Sequence, residues 1–147
     1  TIHKADRQTL AINRNTLYII RGLPGTGKST LAIRLASNTI VAADDFMLNS
    51  KGEYEFDPAK LPEAHQQCQE KIDFFMRCGC IHIAVHNTFT TVQEMAPYVE
   101  LCKKYNYVPH IVTTETNFGS IHSVPETTIE KMRERFEPAL YYHTQEV

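Results

Sequence analysis

Short apolar runs alternate with amphipathic stretches along most of this chain. Four runs of β-branched and other apolar residues have the length and composition of buried strands. They cover residues 17–20, 39–43, 81–85 and 108–112. Between and after them, apolar residues recur every three or four positions, which predicts helices. These cover residues 31–36, 58–79 and 91–105 and a last segment containing Ile129, Met132 and Phe136. The alternation predicts an α/β fold, a three-layer sandwich with a short, mostly parallel sheet of about four strands.

The size of the chain and two local features refine this picture. A length of 147 residues is typical of one domain. Residues 1–16 mix polar residues with isolated apolar ones and predict an N-terminal extension, which leaves residues 17–147 as the domain. Pro109 has no N–H to give to a sheet, so the last predicted strand is expected at an edge.

Composition and charge narrow the class of protein. A hydrophobic content of 42% with 22% charged residues is ordinary for a soluble globular chain. The formal net charge of −2 argues against a protein that coats nucleic acid non-specifically, because such binding needs many Lys and Arg contacts to phosphate. No apolar run reaches the roughly 18 residues of a membrane span, and no secretory leader is visible. We therefore expect no membrane contact and a cytoplasmic location.

The loop after the first predicted strand carries the strongest chemical signal. Its nine residues, 22–30, fit the phosphate-binding pattern G-x-x-x-x-G-K-[ST] and lie between a predicted strand and a predicted helix, as that pattern requires. Glycines let several backbone N–H groups converge on phosphate oxygens. Lys28 is expected to reach the β- and γ-phosphates of ATP, and Ser29 to hold Mg²⁺. The expected nucleotide-binding residues are Gly22, Leu23, Pro24, Gly25, Thr26, Gly27, Lys28, Ser29 and Thr30.

Two adjacent aspartates, Asp44 and Asp45, follow the second predicted strand. The C-terminal ends of parallel strands lie along one edge of a sheet, so both are expected in the crevice that holds the loop at Gly22. A carboxylate near a γ-phosphate can accept the proton of an attacking hydroxyl or hold a water on Mg²⁺. A solvent-exposed acidic turn or a helix cap is the alternative.

With the motifs around them, these residues resemble the P-loop polynucleotide 5′-kinase-like family, over roughly residues 17–137. The further matching residues are Gly52-Glu53-Tyr54, Phe56-Asp57-Pro58, Leu61, Ala64-His65, Asn87-Thr88, Met95, Pro97-Tyr98, His122 and Val124-Pro125. The resemblance implies a P-loop kinase fold and an ATP-dependent transfer of the γ-phosphoryl group to a hydroxyl, usually the 5′-OH of RNA or DNA. By position, it assigns the general base to Asp45, with Asp44 as its neighbour.

The segment after the third predicted strand departs from the family pattern. Members usually carry an aspartate there, whereas this chain has His86. A neutral imidazole does not balance the charge of Mg²⁺ as a carboxylate does. Asp44 is therefore expected to take the metal-facing role.

The lid that carries arginines in this family is also different. No Lys or Arg lies between positions 104 and 131, and the lid is shortened to about residues 114–123. Arg133 is expected to supply the missing catalytic arginine. Arg135, or a hydrogen bond from His122, is an alternative, and the simplest interpretation of both arginines is solvated helix charge.

The aromatic residues Phe46, Tyr54 and Phe56 leave two interpretations open. On a loop beside the acceptor they would stack a base, or they would pack the loop onto the following helix. The leading function is an ATP- and Mg²⁺-dependent phosphotransferase acting on a hydroxyl of nucleic acid, either a 5′-OH or a hydroxyl on a modified base. A small-molecule or nucleoside kinase and a nucleotide-binding module with weak ATPase activity are the alternatives. The pattern predicts no oligomeric state.

Overall fold

The computed structural model describes residues 15–115 and 125–137, and within them a fully parallel, four-stranded sheet. Its strands are β1 (Thr16–Arg21), β2 (Ile40–Val41), β3 (His82–Asn87) and β4 (Val108–Thr113). Their order across the sheet is β2-β3-β1-β4. β4 lies at an edge, which confirms the position predicted from Pro109.

Helices cover both faces of the sheet. They are α1 (Lys28–Ala36), α2 (Leu61–Arg77), α3 (Val92–Tyr105) and α4 (Glu126–Arg135), and short 3₁₀ turns lie at Ala43–Phe46 and Pro58–Lys60. Successive side chains of β1 point to opposite faces. Leu17 and Ile19 join the main core with buried residues of α2 and α3, whereas Ile20 packs with Ala32 and Ala36 of α1. The predicted three-layer α/β fold is therefore confirmed.

Two strands end two residues away from their predicted ends, and the other two end within one residue. The second strand is limited to Ile40–Val41, and its predicted last residue, Ala43, starts a 3₁₀ turn instead. The Ala43 N–H bonds to the side chain of Asn87 rather than to a neighbouring strand. β3 continues through His86 and Asn87, because both pair in register with the end of β1. The strand prediction followed apolar residues only and so stopped before these two polar residues, but backbone hydrogen bonds between strands do not require apolar side chains.

Some predictions lie outside the described residues. These are the N-terminal extension except for its last two residues, nearly all of the short lid, His122, and the end of the domain beyond residue 137. Thr16, assigned to the extension, is the first residue of β1. None of the helices in the described ranges has the length and apolar character needed to cross a membrane.

Candidate functional site

A cavity of about 870 Å³ lies at the C-terminal edge of the sheet. The parallel register places Arg21 of β1 beside Asn87 of β3 and Thr113 of β4, so the loops that leave these strands begin at one edge. The phosphate-binding loop forms one side of the cavity. Side chains from the first 3₁₀ turn, α2, α3 and α4 form the other.

The phosphate-binding loop presents backbone N–H groups at the start of α1. Gly25 and Gly27 have φ angles of 82° and 85°, a left-handed conformation that glycine adopts easily. Gly27 is the N-cap of α1, and its carbonyl accepts from the Leu31 N–H at 3.1 Å. The N–H groups of residues 28–30 therefore have no intrahelical acceptor and lie at the positive end of the helix dipole. The loop residues that line the cavity are Pro24, Gly25, Thr26, Gly27, Lys28, Ser29 and Thr30.

Gly22 and Leu23, the other two predicted binding residues, do not line the cavity; Gly22 contacts the chain that packs against the loop, and Leu23 accepts a hydrogen bond within the loop. A Cβ on Gly22 would lie 2.1 Å from Thr114 Oγ1 and 2.9 Å from the Thr114 carbonyl oxygen, so only glycine allows this approach. Thr26 Oγ1 donates to the Leu23 carbonyl at 2.7 Å and lies 2.6 Å from Thr114 Oγ1. The loop is thereby tied to the chain that leaves β4.

Lys28 is a partly buried cation on the loop side of the cavity. Its Nζ donates to the Leu23 carbonyl at 3.0 Å. Burial lowers the pKa of Lys28 to about 8, while the negative charge of Asp44 acts in the opposite direction. An ammonium that has lost much of its hydration, and whose hydrogen-bond partner is a neutral carbonyl, suits an incoming anion. Together with the loop N–H groups, this arrangement fits the phosphates of a nucleoside triphosphate.

The two aspartates point in different directions. Asp44 lines the cavity and acts electrostatically on Lys28. Asp45 is exposed outside the lining, and its Oδ2 accepts from the Ala42 N–H at 2.9 Å. Successive side chains of a 3₁₀ turn diverge by about 120°, so only one of the pair can face the cavity. The general-base role expected of Asp45 therefore does not fit this geometry, and the cap considered as an alternative describes Asp45 well.

Oxygen ligands suitable for Mg²⁺ lie between the loop and this turn. Ser29 and Asp44 both line the cavity, and Mg²⁺ prefers oxygen ligands such as hydroxyl and carboxylate. In the described part of the chain, no group of three or more His, Cys, Asp or Glu side chains is arranged to hold a metal. Few protein ligands are usual for a Mg²⁺ that also binds substrate phosphates. His86 of β3 lines the cavity as well.

A set of side chains in the cavity lining, here called the aromatic wall, combines aromatic and titratable groups. It consists of Tyr54, Phe56, Leu61, His65 and Glu94. Burial raises the pKa of Tyr54, as do the charge of Asp44 and a hydrogen bond to its carboxylate. Burial lowers the pKa of His65, although the carboxylates of Glu94 and Asp44 act against this shift. The cavity thus combines a cationic side with an aromatic, partly acidic one.

The three aromatic residues left open by the sequence fall into two groups. Phe46 packs against the main core and against a smaller cluster around Met47 and Ala64. Tyr54 and Phe56 line the cavity. Tyr54 is held there by an antiparallel bridge to Leu48. Phe46 is therefore a packing residue, whereas Tyr54 and Phe56 are cavity-lining residues.

Of the two α4 arginines, Arg135 lines the cavity and Arg133 does not, and Arg34 of α1 lines it as well. Arg133 forms an ion pair with Glu130 on an exposed part of α4, as expected of a solvated helix charge. Arg135, the last residue of α4, lines the cavity, and its Nε donates to Thr90 Oγ1 at 3.1 Å. Met132 of the same helix lines the cavity as well, so α4 turns Arg135 towards the cavity and Arg133 towards solvent. This arrangement favours Arg135 over Arg133 for the role expected of a catalytic arginine.

Arg21 is a structural residue that the sequence analysis missed. It is fully buried, and its Nε and Nη2 donate to the Phe89 carbonyl at 3.0 and 2.7 Å. The Phe136 ring lies 4.0 Å from the guanidinium, and the Glu137 N–H donates to the Thr90 carbonyl at 2.7 Å. These contacts hold the end of α4 beside the cavity. A lone arginine at the end of an apolar run gives no sequence signal for such a role.

Glu94 was also missed, although a local pattern indicates its position. Thr91 and Glu94 form a capping box at the start of α3, in which the Glu94 N–H bonds to Thr91 Oγ1 and Glu94 Oε2 accepts from the Thr91 N–H. The T-x-x-E spacing is a recognised helix start. It places Glu94 on the first turn of a helix that begins beside the sheet edge.

The parallel sheet and the glycine loop between β1 and α1 define a P-loop domain with a kinase-like fold. The sequence model of the AAA domain family (AAA_33) matches residues 17–119, and the chain belongs to this family. The resemblance to P-loop kinase-like proteins inferred from the sequence is confirmed.

Individual relatives agree with this assignment. NEDD4-binding protein 2 of Homo sapiens is 32% identical over 134 residues, which cover 82% of this chain and 8% of that protein. The chain therefore spans less than a tenth of that relative's length.

Three solved structures share the fold. A putative kinase from Chloroflexus aurantiacus has a TM-score of 0.55 at 17% identity, covering 70% of this chain and 60% of the other. A chain of the Pnkp1/Rnl/Hen1 complex has a TM-score of 0.56 at 20% identity, covering 81% and 39%. The APS kinase CysC of Mycobacterium tuberculosis has a TM-score of 0.51 at 12% identity, covering 85% and 99%. At these identities the likeness shows the fold alone.

Proposed function

We propose that this chain is an ATP- and Mg²⁺-dependent phosphotransferase that moves the γ-phosphoryl group to a hydroxyl of nucleic acid, a 5′-OH or a hydroxyl on a modified base. The observation that carries the proposal is that Lys28 and Asp44 line the same cavity and interact electrostatically. Phosphoryl transfer needs a cation at the phosphates and a carboxylate that takes the proton of the attacking hydroxyl. A cytoplasmic location, where ATP and Mg²⁺ are available, belongs to the same proposal.

Charged and polar groups of the cavity divide the chemical tasks in this proposal. Bound ATP with Mg²⁺ supplies the phosphoryl group and its leaving group. Lys28 and the N–H groups of residues 28–30 hold phosphate oxygens, and Ser29 is the metal ligand provided by the loop. Asp44 accepts the proton of the acceptor hydroxyl and is a second oxygen ligand for the metal. Arg135 offsets negative charge at the transferring group.

The aromatic wall supports an acceptor that carries a base. Tyr54 and Phe56 lie in the same cavity as Asp44, so a base stacked on either ring keeps its sugar near the carboxylate. Stacking on an aromatic side chain is worth about 1–3 kcal/mol per base and tolerates any base. This tolerance suits an enzyme that acts on a strand end or an exposed base.

A direct assay of phosphoryl transfer tests the proposal. ATP labelled at the γ-phosphate is offered with 5′-OH oligonucleotides, with nucleosides, and with no acceptor, in parallel. Label on the oligonucleotide is the expected result. Release of label only as free phosphate would instead indicate a nucleotide-binding module with weak ATPase activity.

Label on the nucleoside alone would support the second candidate, a small-molecule or nucleoside kinase. The observation that favours this candidate is the acidic character of the cavity beyond the loop. Asp44, Glu94 and Glu115 line it beyond the loop and α1, where Arg135 is the arginine that also lines it. Carboxylates repel an acceptor that carries several phosphates and tolerate an uncharged one.

The acceptor side is tested separately by the Tyr54→Ala variant. We expect it to raise the KM for an oligonucleotide by roughly 5- to 150-fold, the equivalent of one lost stacking contact, and to leave the KM for ATP unchanged. Leu48→Ala is the matched control, because Leu48 lies on the same loop, pairs with Tyr54 and does not line the cavity. Equal small effects on both KM values would show that Tyr54 only packs the loop.

A further inference from the structure

Two side chains bind backbone N–H groups at the start of the 3₁₀ turn that carries Asp44, one at its N-cap residue and one at its first residue. The Ala42 N–H donates to Asp45 Oδ2 at 2.9 Å, and the Ala43 N–H donates to Asn87 Oδ1 at 2.7 Å. The second of these bonds is buried and joins residues 44 positions apart in the chain. Asn87 thus connects the end of β3 to the turn immediately before Asp44.

Asn87 is itself rigidly placed. It is the last residue of β3 and pairs in register with Arg21 of β1. Its side chain is buried, and its Nδ2 donates to Cys68 Sγ on α2 at 3.9 Å. Burial raises the pKa of the Cys68 thiol to about 11, so this partner remains a neutral thiol. The amide is therefore fixed between α2 and the turn, with its oxygen directed at Ala43.

We propose that Asn87 is a positioning residue that holds the turn so that the Asp44 side chain faces the cavity. This inference rests on the proposed function, because it concerns the carboxylate that accepts the proton. Asp45 alone does not fix the turn, because its carboxylate and the Ala42 N–H it binds belong to the same short segment. Asn87 instead ties the turn to the sheet, which also carries the phosphate-binding loop. The position of Asp44 relative to the loop then depends on this amide oxygen together with the packing of Phe46 and Met47 against the core.

The Asn87→Leu variant tests this role, because leucine is of similar size and has no acceptor. We expect kcat per folded molecule to fall by at least about ten-fold and up to about 100-fold, as small misplacements of a reacting group do. The KM for ATP is expected to stay within about two-fold, because the loop residues are untouched. Asn87→Asp keeps an oxygen at the same position and is expected to have a kcat between those of Asn87→Leu and the unaltered protein.

Ile72→Val is the matched control for stability. Ile72 is a fully buried residue of α2, in the same core as Cys68, and has no hydrogen bond to the turn. Its variant is expected to lower Tm without changing kcat per folded molecule. Should Asn87→Leu fail to fold, Asn87→Ser makes the same comparison, because its shorter side chain does not reach the Ala43 N–H.

Two results would overturn the inference. One is an unchanged kcat per folded molecule in Asn87→Leu or Asn87→Ser. The other is an Asn87→Asp variant with no more activity than Asn87→Leu. Failure of the proposed function is a different outcome, because the unaltered protein would then transfer no label to any acceptor.

Discussion

The two sides of the cavity are built from different parts of the chain. The phosphate-binding side is one continuous segment. Its shape is set by two glycines in the left-handed conformation, Gly25 and Gly27, and it presents backbone N–H groups at the start of α1. The opposite side is assembled from the 3₁₀ turn, α2, α3 and α4, and depends on which way single side chains point. The difference implies that changes on the first side alter nucleotide affinity, whereas changes on the second alter turnover or acceptor affinity.

The largest effect is expected from the Asp44→Asn variant. Loss of the proton acceptor is expected to lower kcat by about 10²- to 10⁴-fold, while ATP affinity stays within a few-fold. Asp45→Asn is the matched control, since an amide oxygen can still accept from the Ala42 N–H. Steady-state kinetics of both variants would contradict the assignment if Asp45→Asn lost as much activity as Asp44→Asn.

The second effect in size is expected from Arg135→Ala. A hydrogen bond to a charged group is worth about 1.5–3 kcal/mol, which corresponds to roughly a 10- to 150-fold fall in kcat. Arg133→Ala is the matched control, because Arg133 pairs with Glu130 on the exposed part of the same helix. Comparable losses in both variants would mean that α4 contributes through its fold and not through one cavity arginine.

On the loop side, Gly22→Ala is expected to weaken ATP binding by about ten-fold. The added Cβ would collide with Thr114, and overpacking of this kind typically costs about 1–3 kcal/mol. Gly79→Ala is a control for backbone strain, since Gly79 has a φ of 75° but nothing lies within 4 Å of an added Cβ. Calorimetric titration should show normal ATP affinity for Gly79→Ala. Normal affinity for Gly22→Ala would refute the view that close packing shapes the loop.

The smallest effect is a pH dependence centred on Lys28, whose pKa burial lowers to about 8. Above this pH the ammonium loses its proton, so ATP affinity is expected to fall by a few-fold as the pH rises from 7 to 9. Nucleotide-free protein should respond in the opposite direction. Between pH 8 and the ordinary lysine pKa the unfolded chain binds more protons than the folded one, so the free energy of unfolding rises with pH.

Titration of ATP binding at several pH values, beside denaturant unfolding, measures both trends. The Lys28→Met variant should show neither. An ATP affinity that does not change between pH 7 and 9 would indicate that the buried ammonium is not a phosphate contact.

Much of the loop side could be predicted from the sequence. Gly27 and Lys28 lie at a strand-to-helix junction, and the backbone conformation there follows from neighbours a few positions away. The same locality explains the capping box of Thr91 and Glu94, which is visible as T-x-x-E. The loop and the capping box each depend on the spacing of residues that are close in the sequence, so a local pattern is enough to predict them.

The other side could be predicted only in part. The sequence placed both aspartates in the crevice and gave Asp44 the metal-facing role, but it did not decide that Asp45 would cap the turn instead of facing the cavity. That choice depends on where β2 ends, and β2 ends at Val41 because the Ala43 N–H bonds to Asn87. The choice between Arg133 and Arg135 likewise depends on contacts of Arg21 with Phe89 and Phe136.

The sequence by itself determined the order of strands and helices along the chain, the P-loop and the edge of the sheet at which the cavity lies. Those features follow from local periodicity and from the rule that parallel strands end on one side. The tertiary structure alone decided that Asp45 caps the turn and that Arg135, not Arg133, lines the cavity. Side-chain direction at the end of a turn or helix is set by hydrogen bonds to residues that are distant in the chain, and no local pattern encodes them.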